Sequence, residues 1–192
     1  MTSIMNSLID FDLRNFPKGS VINDKLNEKD WVDIFIKNPN FWKIAFVNNK
    51  VVGYFNFHLI DKKFYDKWKL AKDEVIDIIS DCGVVSPSDK ISETWIYLDV
   101  LCIDENEIIL GNYLHSLILK DLTDQLKEGM KELLKEKIKI SGIIANGFTQ
   151  RGTDLLKNKG FIQVGQHKIK GLNGFLTSLF ELEKSKFNQF IS

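Results

Sequence analysis

Two cysteines, Cys82 and Cys102, are all that this chain of 192 residues carries. That is too few for a disulfide framework or a thiolate metal centre, and the expected state is two reduced thiols. Net charge is missing as well, because 26 lysines and arginines balance 26 aspartates and glutamates. With no field of one sign to draw the chain to a polyanion or an anionic bilayer, neither nucleic acid nor membrane is an expected partner. No apolar run reaches the roughly 20 residues of a membrane-spanning helix. The opening MTSIMNSLIDFDLRNF lacks a basic stretch followed by a long apolar one, so no signal peptide or anchor is expected and a cytoplasmic location follows by default. Internal repeats and low-complexity tracts are absent. His115 and His167 stand at no metal-ligand spacing, and no metal is assigned.

What is present is a 44% hydrophobic, 27% charged composition, enough to bury one substantial core and consistent with a single domain over 1–192. Trp31, Ile34 and Phe35 predict a short helix between Asn27 and Lys37, ahead of Pro39. Two β-rich runs, Phe41 to Val47 and Val51 to Ile60, flank Asn48-Asn49 and predict a hairpin, with Gly53 marking a bulge or a close backbone approach. The charged stretch from Asp61 to Ser80 reads as a helical excursion over one end of a sheet, followed by a loop to Ser92. Thr94 to Ile103 reads as a central buried strand, and Ile109 to Leu133 as a long helix weakened or bent near Gly129. A further strand spans Ile138 to Ala145. Thr149 is placed to cap a short helix that stops at Gly160, and two last strands, Phe161 to Ile169 and Phe175 to Leu182, close around Gly171 to Gly174.

This order, carried by IAFVNNKVVGYFNF, TWIYLDVLCID, ENEIILGNYLHSL, IKISGIIA and TQRGTDLLKNKGF, resembles the GNAT (GCN5-related N-acetyltransferase) superfamily, most clearly from Thr94 to Glu183. The resemblance implies a single-domain α/β (α+β) fold, a mixed, mostly antiparallel sheet flanked by helices, with the helical excursion at about 61–92. It also implies acetyl-CoA as co-substrate and a small-molecule or peptide amine as acceptor. Leu101 and Ile103 would give main-chain contacts to the pantetheine arm, Leu110, Gly111 and Asn112 would hold phosphate at a helix start, and Thr149 falls where the family often has asparagine. The family's phosphate turn is altered here: its proline falls on Ile103, its basic or amide residue on Asn106 and its two glycines on Ile109 and Gly111. Its proton-donating tyrosine falls on Leu156, which has no proton to give.

Three side chains are candidates for chemistry. Asp99 lies on the central strand, on the face of Tyr97 and Leu101 by simple alternation, and is read either as the acceptor of an amine's proton or as a structural carboxylate. Tyr97 occupies a position where several relatives have a glutamate base, and is otherwise read as a core or cleft aromatic. His58 alternates with Asn56 and Ile60 and is either a proton relay or a hydrogen-bonded structural histidine. Two functions therefore stay open: an N-acetyltransferase, or a catalytically silent relative used for binding or regulation. The final strand and the aromatic tail Phe187 to Phe190 are expected to offer a surface for a homodimer.

Overall fold

The computed structural model describes residues 2–15, 28–70, 84–87, 89, 93–104, 112–135, 138–168 and 176–191. The predicted turn at Gly171 to Gly174, the far part of the excursion from residue 71 to 83, Cys82 and the phosphate-loop positions Leu110 and Gly111 lie outside the described residues. The hairpin forms as expected between β1 (Trp42–Val47) and β2 (Lys50–Asp61). Asn48 and Asn49 take φ values of 49° and 62°. Two left-handed residues in a row match the twist of a two-residue hairpin, and asparagine tolerates that geometry better than other side chains.

Six strands run in the order β1, β2, β4 (Thr94–Ile103), β5 (Ile140–Gly147), β7 (Leu176–Glu183), β6 (Ile162–Lys168), and the two-residue β3 (Val84–Val85) pairs with β2 at Leu59 and Ile60. Among the described residues only β4 and β5 pair in parallel. A parallel pair needs a crossover, which here contains the helix at Asn112–Lys135. Leu122, Leu126, Met130 and Leu133 of that helix are buried at helical spacing, and the chain runs unbroken past Gly129. A Cβ there would sit 3.4 Å from the Phe57 ring, so the glycine marks where helix and sheet lie close, with no break in the helix. Gly53 marks both a bulge and a close approach: the register with β1 shifts beside it, Ala45 pairing with Gly53 and Phe46 with Val51, and its Cβ would meet the Cys102 carbonyl oxygen at 2.9 Å.

Helices cover both faces of the sheet. On one side are α1 (Thr2–Asn15), α2 (Glu28–Lys37) and α3 (Lys62–Leu70). Phe11 of α1 packs edge-on against Tyr54, and Tyr65 of α3 stacks on Trp95 at 4.3 Å while its hydroxyl donates to Glu181. On the other side α4, the crossover helix, packs with α6 (Lys184–Ile191), and α5 (Gln150–Asn158) lies against the end of β5. Both α1 and α6 go beyond the elements read from the sequence. Phe187, Phe190 and Ile191 are buried core residues, so the C-terminal aromatics are not the exposed tail that was expected to serve a dimer. Nor is the last strand exposed as an edge: β7 lies between β5 and β6, and β6 is the edge.

Candidate functional site

The centre of the molecule is a mismatch in pairing along β4. Its ladder with β5 runs from Thr94 opposite Ile140 to Leu98 opposite Ala145, while its ladder with β2 continues to Ile103 opposite Gly53. From Asp99 to Ile103, β4 therefore has β2 on one side and, among the described residues, no ladder to β5 on the other. β5 meanwhile stays with β7 through Asn146 and Gly147. The two parallel strands part company at Leu98.

A bulge falls at the same place. Asn56 pairs with Val100 and Phe57 with Leu98, which leaves Asp99 as the extra residue. An extra residue re-aims side chains and breaks strict alternation. Tyr97 stands opposite His58 and Leu101 opposite Phe55, so these two residues lie on opposite faces of the sheet. The expectation that Asp99, Tyr97 and Leu101 share one face is corrected by this register shift.

The bulge brings two of the three candidate catalytic residues together. Asn56 Nδ2 donates to Asp99 Oδ2 at 3.2 Å and lies 3.3 Å from His58 Nε2, which is itself 3.6 Å from Asp99 Oδ2. The His58 ring is fully buried, whereas the Asp99 side chain keeps 18% of its surface exposed. Asp99 is thus the member of the group that a ligand can reach. His58 Nδ1 and Asn56 Oδ1 are buried without a hydrogen-bond partner, a costly condition in a core, since an unmet buried polar atom forfeits about 1–3 kcal/mol.

Tyr97 belongs to a neighbouring network. Asn146, at the end of β5, donates from Nδ2 to the Tyr97 hydroxyl at 3.0 Å and accepts from Trp68 Nε1 at 3.0 Å. An indole N–H can only donate, which fixes the orientation of the Asn146 amide. Trp68 is wholly buried on α3, so the excursion helix is pinned to the strand end beside the parting of β4 and β5.

Two further members escaped the sequence reading. Asp12 of α1 is 4% exposed, and both its oxygens accept from the Tyr54 hydroxyl, at 2.8 and 2.9 Å. Burial pushes the Asp12 carboxyl up to about 7 against the pull of the Tyr54 hydrogen bond, and the charge of Asp99 adds to the rise. Burial and the Asp12 carboxylate hold the Tyr54 phenol well above its ordinary value. Met5, Leu8 and Phe11 repeat every three residues and forecast a helix with Asp12 beside its apolar stripe, a signal present in the sequence. Its partner 42 residues away had no local trace.

The residues expected on the coenzyme side are placed unequally. Leu101 and Ile103 lie on the part of β4 beyond the β5 ladder. Asn112 is the first residue of α4, downstream of Leu110 and Gly111, which are outside the described residues. Thr149 caps α5, its Oγ1 accepting from Gly152 N–H at 3.0 Å. Among the described residues no group of three His, Cys, Asp or Glu side chains is arranged to hold a metal ion, and no helix is long and apolar enough to cross a membrane.

No protein-family model matches this chain. A search of curated proteins also finds no match. Its architecture is nevertheless shared with solved structures. The loading GNATL domain of CurA from Lyngbya majuscula superposes with a TM-score of 0.60 at 10% identity, covering 95% of this chain and 94% of that one. Chaetomium thermophilum Naa20 in complex with a bisubstrate analogue gives 0.58 at 10% identity, over 98% and 86%. Arabidopsis thaliana NAA60 in complex with acetyl-CoA gives 0.53 at 14% identity, over 94% of each. The chain has a GNAT-like α/β fold, a mixed and mostly antiparallel seven-stranded sheet flanked by helices. At such identities the likeness is one of fold alone.

Proposed function

We propose that this protein is an N-acetyltransferase that moves an acetyl group from acetyl-CoA directly to a primary amine. One observation carries the reading: β4 outruns its ladder with β5 at the very residue where a bulge turns Asp99 toward Asn56 and His58. The edge of β4 from Asp99 to Ile103 suits an extended, amide-bearing arm, which would add there much as a strand adds to a sheet, with Leu101 and Ile103 contributing main-chain groups. Leu110, Gly111 and Asn112 would meet the phosphates at the start of α4, where unpaired N–H groups and the helix dipole favour anions. Solved structures of the same fold in complex with acetyl-CoA and with a bisubstrate analogue add support.

Bound acetyl-CoA would supply an activated acyl carbon and a thiolate leaving group. Asp99, the accessible carboxylate, holds the acceptor's ammonium and takes one proton from it, so that the nitrogen lone pair forms the C–N bond as the C–S bond breaks. Asn56 keeps Asp99 Oδ2 in place, and His58 stands behind the same oxygen. Tyr97, steadied by Asn146 and Trp68, borders the gap. Leu156 lies buried at the position of the family's tyrosine, so the departing thiolate takes up, through water, the second proton that the nitrogen gives up as the amide forms.

That leucine is also the observation favouring the rival, a catalytically silent binding or regulatory protein. Free thiol released from acetyl-CoA in the presence of a panel of primary amines decides between them. The transferase reading expects turnover, and a fall in kcat/KM of about 100-fold or more in Asp99→Asn with an unchanged melting temperature. Acetyl-CoA binding without thiol release from any amine would leave the silent reading standing.

A further inference from the structure

We propose that Tyr97 gives its phenolic proton to the coenzyme sulfur as the thioester breaks, and that Asn146 and Trp68 are the positioning residues that turn this proton away from the core. The inference rests on the transferase reading and supplies the last link of its proton path, the one between water and sulfur.

The place of the hydroxyl follows from the strand pairing. Tyr97 stands opposite Ile144, one step before the ladder ends at Leu98 and Ala145, and its hydroxyl bonds the side chain of Asn146, the first residue of β5 past that end. A phenol oxygen therefore stands where the two strands part. Asp99 is the first residue past the same point on β4, so a base and a proton donor come from the two strands that flank the gap. A direct transfer needs both, because the nitrogen that loses protons and the sulfur that gains one meet at a single carbon. Their anchors are separate, Asn56 for Asp99 and Asn146 for Tyr97.

The direction of the proton follows from Trp68. Its indole N–H can only donate, so Asn146 Oδ1 takes that bond and Nδ2 is left facing Tyr97. An amide –NH2 also only donates. The Tyr97 oxygen accepts there, and its own proton points away from Asn146. Phe64, Trp68 and Ile144, which share its apolar cluster, have no acceptor for that proton. Tyr97 is buried while Asn146 is half-buried, so a ligand meets this network at its Asn146 end. Another hydroxyl beside the end of β5, that of Thr177, is already committed to the Gly147 carbonyl at 3.2 Å. As the nitrogen lone pair forms the C–N bond, the C–S electrons pass to sulfur and sulfur takes the Tyr97 proton. The second proton leaving the nitrogen returns through water to the tyrosinate, whose oxygen Asn146 holds meanwhile by a charge-assisted bond.

Calorimetry with CoA and with desulfo-CoA, which lacks only the sulfur, tests the contact without any need for turnover. The unaltered protein is expected to bind CoA about fivefold tighter than desulfo-CoA, and in Tyr97→Phe that preference should shrink below about twofold. In the thiol-release assay Tyr97→Phe should lower kcat about 100-fold while the KM for acetyl-CoA stays unchanged. Equal affinities for the two ligands, an undiminished preference in Tyr97→Phe, an unchanged kcat, or no binding of either at millimolar concentration would overturn the proposal. Should Tyr97→Phe fail to fold, Trp68→Phe, which keeps a ring and loses the N–H, decides: its CoA preference is expected to fall, and an undiminished one counts against the proposal. A sulfur preference lost in Tyr97→Phe without acetyl transfer to any amine leaves Tyr97 at the sulfur and removes the transferase reading. Acetyl transfer with an unchanged kcat in Tyr97→Phe does the reverse.

Discussion

On one face of β2, Phe55, Phe57 and Leu59 pack against Phe41 and the crossover helix, while on the other Tyr54, Asn56 and His58, no more exposed, form a polar strip with atoms left unsatisfied. Equal burial thus serves two different ends. The apolar face gains from every contact, since each removes hydrocarbon from water. The polar face forfeits stability by hiding groups that water would have satisfied, and a protein keeps such an arrangement where the groups have a task. Stability is expected to reside on the first face and ligand chemistry on the second.

Mutation can break this contrast from either side. The largest effect on stability is expected from Phe57→Ala, which deletes a fully buried ring stacked on Phe41 and Phe55 and leaves a cavity under Gly129. Urea unfolding should register a loss of about 3–5 kcal/mol. A loss below about 1 kcal/mol would mean that the apolar face is not where the fold is held.

A smaller effect, and one confined to the polar face, should appear in the pH dependence of stability. Asp12 titrates near 7 when folded and near 3.8 when free, so between those values the native chain keeps a proton that the unfolded chain has released. Stability from this group is therefore full below about pH 4, falls as pH rises to 7 and is flat beyond, amounting to a few kcal/mol. Unfolding measured from pH 4 to 8 should show that decline for the unaltered protein and a shallower one for Asp12→Asn. Identical slopes would remove Asp12 from the account.

Much of the apolar framework was legible because it is written in short-range periodicity. The hairpin, β4, the crossover helix and the Thr149 cap each carry a local signal, and each appears at its expected place. The polar strip was half legible. Alternation placed His58 beside Asn56, but a one-residue bulge has no signature in a run such as TWIYLDVLCID, and without it Leu101 was assigned to the wrong face. Pairings such as Asp12 with Tyr54 or Trp68 with Asn146 join residues 42 and 78 positions apart and arise only when helices settle on the sheet. The C-terminal helix does carry a local signal, since Phe187, Phe190 and Ile191 stand at helical spacing.

The most direct test is a titration of isotopically labelled protein with acetyl-CoA, followed by amide chemical shifts. The account predicts the largest changes from Asp99 to Ile103 on β4, at Asn146 and Gly147 on β5 and at the start of α4 near Asn112, where the parted strands and the helix N-terminus would receive the coenzyme. Shifts confined to other parts of the sheet, or none at millimolar coenzyme, would contradict it.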